Sequence, residues 1–526
     1  MSSKIADNIV LHDQAILAYR GGRYAEAEAL FRQSLVVRAD DVAVLASYGE
    51  FLRGQGRPFE ALEVFERILS FDPDNADVLN AAGVCYQETA NPSRAIEYYL
   101  RAMALKPDMA VTWNNIGVVL LHEGDDNAAL DHFYQALALD PNYADACCNL
   151  AVAYRQRLDY TNATEAFRRA YQLEPNSAEI AAGLGEILGL LYEDAAEGIL
   201  RRAVALDPKK AERHWNLSLE LLKRGKYTEG WREYEWRFQR GKGHNPPRPF
   251  AQPAWRGEAW QDLRGKTLLL HAEQGLGDTL QMLRYLPMVL ERGAKVVLEV
   301  QRPLHRLVAE YAARSHAGVE VVTAGDALPA FDLHTPLMTL PHALGTTLET
   351  VPSPIRLTPA AEPLTTAGEL RIGLCWAGNP GHDRDRERSV PLELLKPLFE
   401  IAGTQWVSLQ VGPAAREIDT CGVKIAQPVL NDFADTTALL DTLDLVIAVD
   451  TAVAHLAATQ GVPTWILLPY VADWRWLRPG AARTSWYPEA RLFRQSSRPT
   501  GTDPYAHWPP VIAEVVEALQ EKLPAR

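Results

Sequence analysis

The chain has 526 residues, 47% of them hydrophobic, which is too long for one core and apolar enough to build two to four. Its 67 Asp and Glu outnumber 53 Lys and Arg, and most of the excess lies in residues 1–240, where 26 basic residues stand against 36 acidic ones. That balance excludes a phosphate-tracking nucleic-acid binder, which needs a basic stripe. Residues 1–11 lack a cationic region followed by an apolar stretch, and no run of some 18 apolar residues occurs, so the expectation is a cytoplasmic protein without a membrane span. Cys85, Cys147, Cys148, Cys375 and Cys421 form no C-x-x-C pair and read as reduced, buried thiols.

In chain order, the first pattern is a proline every 34 residues, at Pro73, Pro107, Pro141 and Pro175, then at Pro208 after 33 more. Between the prolines run helical stripes. Trp113, Ile116, Gly117 and Leu120 fall at i, i+3, i+4 and i+7 on one helix, and Ala129, Phe133 and Ala136 mark the inner face of the next. The same positions return as Tyr48, Gly49, Ala61 and Phe65, and as Leu150, Ala151, Ala163 and Phe167. Units of this period are stacked helix pairs, because each leaves one face bare until its neighbour covers it. The pattern resembles the tetratricopeptide repeat, with six to seven units over residues 1–240. Such a stack implies a concave groove for a protein or peptide, with self-association of the chain as the alternative use.

Residues 241–265 form a junction. Trp215, Trp231, Trp236, Trp255 and Trp260 cluster around it, with Pro246, Pro247, Pro249 and Pro253 between them. Buried indoles and prolines predict firm packing of the last repeat on the next domain, where a Gly/Ser-rich composition would predict free movement.

From Lys266 the pattern changes to short apolar runs followed by glycine loops and helices: residues 267–271, a loop 273–278, a helix to Leu290, and 296–300. A second series opens at residues 371–376 and continues with 406–410, 445–450 and 464–468; Pro352, Pro354, Pro359 and Pro363 lie between the two. Alternating strands and helices predict two doubly wound, Rossmann-like parallel sheets, at residues 266–365 and 366–503. A closing helix within residues 504–526 is expected to pack back on the first of them.

The loop Gly275-Leu-Gly277-Asp278 is not a dinucleotide fingerprint, since the third small residue is replaced by Leu280, and no P-loop occurs. Asp278 has two readings: a first-turn carboxylate that favours the helix dipole, or a general base at the carboxyl end of a strand.

Three motifs together, Gly275-Leu-Gly277-Asp278, Trp376-Ala-Gly378-Asn379 and Asp450-Thr451-Ala-Val-Ala-His455, resemble the heptosyltransferase-like (GT-B) glycosyltransferases over about residues 266–495. With the repeats, the whole plan resembles the repeat-containing protein O-glycosyltransferases. The resemblance implies that Asp278 is the base and that a nucleotide sugar lies mainly on the second sheet domain; its candidate contacts in this chain are Gly275, Gly277, Trp376, Gly378, Asn379, Arg388, Gln410, Asp450, Thr451 and His455. The physics agrees for a diphosphate: a helix opening at Thr451 presents unpaired N–H groups, His455 lies one turn on, and Arg388 supplies a guanidinium that keeps its proton. Asp450 as a simple helix cap competes for those same N–H groups. Gln410 at a strand end is a candidate for the donor's base or ribose, and Trp474 and Arg475 for base stacking or the acceptor slot, with core packing as their alternative. Asp383-Arg-Asp385 has the D-x-D form, but interleaved arginines argue for solvated loop charges, and no metal or other cofactor is expected.

The function expected from the sequence is therefore transfer of a sugar from a nucleotide diphosphate to a protein held by the repeats, with inversion. The alternatives are an adaptor with an inactive transferase-like domain, or a sugar transferase acting on a lipopolysaccharide or other glycan.

Overall fold

A computed structural model describes residues 2–241, 247–258, 261–316, 318–359, 369–382, 384–497 and 503–523. Pro246, Trp260, Pro363 and Asp383 lie outside the described residues. The chain divides into two compact units, Met1–Pro175 and Asn176–Arg526.

The first unit consists of antiparallel helix pairs: Ser2–Arg20 with Tyr24–Val37, Val42–Gly54 with Pro58–Phe71, Ala76–Glu88 with Pro92–Leu105, Ala110–His122 with Asp126–Leu139, and Ala144–Gln156 with Tyr160–Leu173. Each repeat proline falls just after the second helix of a pair, where its missing N–H and fixed φ stop propagation. In three of these five pairs the helices cross at a glycine. A Cβ on Gly49, Gly83 or Gly117 would stand 2.5–2.6 Å from the ring of Phe65, Tyr99 or Phe133 of the second helix, closer than carbon atoms approach. The small residue and the ring 16 positions later are one packing device, and together with buried alanines they build the core.

The second unit contains two further pairs, Ala178–Leu190 with Ala196–Leu206 and Ala211–Lys223 with Tyr227–Tyr234. The helix pairs thus run on to Tyr234, whereas the division into compact units falls within them, at Pro175. The cause is aromatic packing. Trp231 is 1% exposed, and its ring meets Tyr234, Trp474 and Trp486 edge to face; Trp486 donates its indole N–H to the Tyr227 hydroxyl at 2.8 Å. These rings bind the last pair to the sheet region with a single core. Trp255 is buried in the same core, and Trp236 stacks on His214 at 3.9 Å.

Two parallel sheets complete the unit. The first has β1 (Thr267–His271), β2 (Lys295–Val300), β3 (Val319–Thr323) and β4 (Leu333–Pro336) in the order β3-β2-β1-β4. The second has β5 (Leu370–Cys375), β6 (Thr404–Ser408), β7 (Leu445–Val449), β8 (Thr464–Leu468) and β9 (Arg491–Arg494) in the order β6-β5-β7-β8-β9. All neighbours are parallel, so helices cover the sheets and the central strands are almost wholly apolar. The closing helix Trp508–Lys522 departs from expectation: it packs on the second sheet domain, beside β9 and the helix Lys396–Phe399, and its Trp508, Val511, Ile512 and Val515 share a core with β5 to β9.

One polar cluster interrupts the first sheet. His271 on β1 is 3% exposed, its Nε2 lies 3.4 Å from His334 Nδ1, and its Nδ1 is buried without a partner among the described residues. Burial first, then the nearby Arg248 and His334, push the His271 pKa down to about 3. The unfolded chain binds that proton near 6.5, so this contribution to stability is full above pH 6.5 and is lost as pH falls toward 3. By pH 5 the loss is expected to reach about 2 kcal/mol, read as a fall in the urea midpoint that His271→Leu flattens.

Candidate functional site

In the first sheet the chain runs outward through β2 and β3 and then returns to the far side of β1 as β4. In the second it places β6 on one side of β5 and β7 on the other. Open parallel sheets bind ligands outside the carboxyl ends of the strands where such a reversal occurs, because the flanking loops part there. The loops that leave these two points are those after β1, after β5 and after β7, which carry Asp278, Arg388 and Asp450–Thr451.

After β1, Gly275 caps the helix Leu276–Met282, and Asp278 at its third position accepts the Gly275 N–H at 2.8 Å through Oδ2. Its Oδ1 accepts from the Arg475 guanidinium. Arg475 is 7% exposed and also donates to Asp473 at 2.8 Å and to Gln281 at 2.6 Å, so every face of the fork is engaged. The Asp278 side chain remains 20% exposed, and each carboxylate oxygen keeps a lone pair. Gly277 abuts the second sheet domain: a Cβ there would lie 2.7 Å from His455 Cδ2. This contact brings the two switch-point loops together.

On the second sheet, Thr451 opens the helix Ala452–Gln460 with no side-chain cap, so Asp450 does not act as the cap. The Thr451 side chain thus leaves the first-turn N–H groups without a cap. Asp450 lies 3.7 Å from His455 Nε2, and its backbone oxygen accepts from Arg388 Nη1 at 3.2 Å. Burial, then the neighbouring Asp473, push the Asp450 carboxyl up to about 6. His455 donates to or accepts from the Tyr487 hydroxyl at 3.0 Å and stacks on Trp476. Burial, followed by Arg475, Arg284 and Arg388, holds its pKa well below 6.5, so the imidazole is neutral at pH 7. Arg388 is steadied by Asp385 at 3.0 Å, and Gly378 donates its N–H to Ser389 at 2.9 Å, which folds the loop around that arginine.

Other named residues lie outside this meeting point or are already engaged. The Trp376 side chain is fully buried in the core under the second sheet. Gln410 lies beyond the end of β6, and its carboxamide is spent on the backbone. It accepts from the N–H groups of Trp376 at 3.0 Å and Ala377 at 2.9 Å, and donates to the carbonyls of Ala377 and Val411. It shapes the loop that carries Gly378 and Arg388. Trp474 is 3% exposed and packs among Trp231 and Trp486. Asn379 is exposed and bonds the Gly381 N–H. Sequence reasoning missed Gln281 and Tyr487, which sit outside the motifs and carry no local pattern of their own.

Models of the tetratricopeptide repeat match residues 12–76, 52–111, 110–143 and 144–177. The helix pairs there are tetratricopeptide repeats. Protein FlbA of Caulobacter vibrioides is 29% identical over 336 residues, covering 57% of this chain and 54% of its own length. The chain thus spans about half the length of that curated relative. Solved structures similar to part of the chain include the APC/C hetero-tetramer Cut9–Hcn1, at 20% identity over 41% of this chain and 43% of that one with a TM-score of 0.37. A tetratricopeptide repeat protein from Parabacteroides merdae is 16% identical over 45% of this chain and 94% of its own, with a TM-score of 0.37. Among the described residues no helix is long and apolar enough to cross a membrane.

Proposed function

We propose that the protein is a glycosyltransferase of GT-B type that moves a sugar from a nucleotide-diphosphate donor to a polypeptide client of the repeats. One observation carries this reading: the loops from the switch points of two parallel sheets meet through Gly277 and His455, with a carboxylate on one side and an uncapped helix N-terminus plus Arg388 on the other. A diphosphate at Thr451 would face the N–H groups of the first helical turn and the Arg388 guanidinium, which offset charge developing on the leaving group. An acceptor hydroxyl bonded to the free lone pairs of Asp278 loses its proton to that carboxylate as its oxygen attacks the anomeric carbon from the opposite face. The bond to the diphosphate oxygen breaks as the new one forms, and the configuration inverts.

A polypeptide client is supported by a row of amides on the repeats. Asn149 donates to Asn114 at 2.9 Å, and Asn115 to Asn80 at 3.1 Å, on the first helices of three consecutive pairs. Amides match the donors and acceptors of an extended main chain.

The test is calorimetric titration with UDP, GDP, ADP and dTDP, followed by incubation of their sugars with the protein and cell extract. One diphosphate is expected to bind, and Arg388→Met to weaken it about 10- to 100-fold, the worth of one charge-assisted bond to phosphate. Heat from none of the four would sink the donor site and leave the repeats as the working part, an adaptor.

A further inference from the structure

The turn between the two helices of each repeat contains one residue in the left-handed region: Gly22, Gly56, Ala90, Gly124, Leu158, Tyr192 and Gly225. Glycine suits that position, and a bulky L-residue there costs about 1–2 kcal/mol. Tyr192, at φ 57°, carries the largest side chain of the row and is buried, whereas Ala90 is exposed and Leu158 half-buried.

The reason lies in what its ring reaches. The Tyr192 hydroxyl donates to the Tyr470 carbonyl at 3.0 Å and accepts from the Ala472 N–H at 3.0 Å and from Arg494 at 2.9 Å, which saturates a phenolic oxygen. Arg478 closes the same contact from the other end, donating to the Tyr192 carbonyl and to Asp194. Between these two fixed points lies the segment that orients the candidate base. Asp473 accepts from the Arg475 N–H at 3.0 Å and from its guanidinium at 2.8 Å, and the guanidinium holds Asp278.

We propose that Tyr192 is a positioning residue for the Arg475–Asp278 pair, so that a repeat turn is a working part of the candidate site. This rests on the reading of Asp278 as the base. An aspartate within hydrogen-bond reach of an acceptor works only while its geometry is held, and here the last holder in the chain of contacts belongs to a helical repeat.

The experiment is amide hydrogen exchange on the full chain, comparing the parent protein with Tyr192→Phe, which keeps the ring and deletes the three hydroxyl bonds. Exchange is expected to rise about tenfold both at residues 470–478 and in the first turn of Leu276–Met282, while the global unfolding midpoint holds. Tyr99→Phe, which removes a hydroxyl bond to Gln87 in the first unit, is the control and leaves both segments unchanged. Exchange at residues 275–282 equal to the parent's overturns the proposal, whatever happens at 470–478. If Tyr192→Phe fails to fold, Arg478→Met loosens the same turn and is read by the same two segments. Where transfer is measured, kcat falls about tenfold with donor KM held; a rise in KM alone counts against positioning. These readings are independent of the donor: coupling in exchange with no diphosphate bound sinks the transferase reading and leaves the contact chain, and the converse sinks only this inference.

Discussion

Asp278→Asn is expected to lower sugar transfer about 10²- to 10⁴-fold while leaving nucleoside-diphosphate affinity within a few-fold of the parent's. Asparagine keeps the volume of the side chain and can still accept one of the two bonds that Asp278 makes, to the Gly275 N–H or to Arg475. It cannot take a proton from a hydroxyl at neutral pH. Its amide also turns an N–H toward one of those donors, yet Arg475 keeps Asp473 and Gln281 as partners, so the cleft is not left with a stranded cation. The measurement is steady-state transfer beside calorimetry on the same preparation. Full transfer by the variant would remove Asp278 from the chemistry and leave it as a helix-capping group alone.

Trp231→Ala is expected to destabilise the unit Asn176–Arg526 by about 3–5 kcal/mol, the range for deleting a buried large ring. Trp231 is 1% exposed and sits where the helix Tyr227–Tyr234 meets Trp474 and Trp486. The cavity cannot collapse easily, because its walls are four other rings, Tyr227, Tyr234, Trp474 and Trp486, held by edge-to-face contacts. Trp231→Phe is expected to cost clearly less. It keeps an aromatic edge in the cluster and removes an indole N–H that is buried without a partner among the described residues, so relief of one unsatisfied donor offsets part of the lost volume. Urea unfolding followed by near-ultraviolet dichroism separates the two variants; equal costs would mean that packing volume at Trp231 does not govern this core.

The repeats were readable because their determinants are local and periodic. Prolines 34 residues apart follow the second helices of four pairs, and in three of these a glycine faces a ring 16 positions later, so one short window contains both halves of the contact. Strands β1, β2, β5, β6, β7 and β8 were readable as apolar runs. The short edge strands β3, β4 and β9 were not, since each is only partly buried and such a strand need not be an apolar run. Gln410 shows the limit of assigning a role by position at a strand end. Its amide is the right chemistry for a ligand, but two N–H groups and a carbonyl of the turn after β5, with the carbonyl of Val411, already claim it.

Spacing and composition by themselves determined the repeat architecture, the change to parallel sheets near residue 266, and the three glycine- and aspartate-bearing loops. Only the tertiary structure decided that Asp278 is paired with Arg475, 197 residues away, that the last two helix pairs belong with the sheets, and that the closing helix covers the second sheet. The physical reason is range. Helix stops, crossings and strand patterns are set by residues within one turn or one repeat, whereas ion pairs and aromatic cores are made between segments whose separation in sequence leaves no periodic trace.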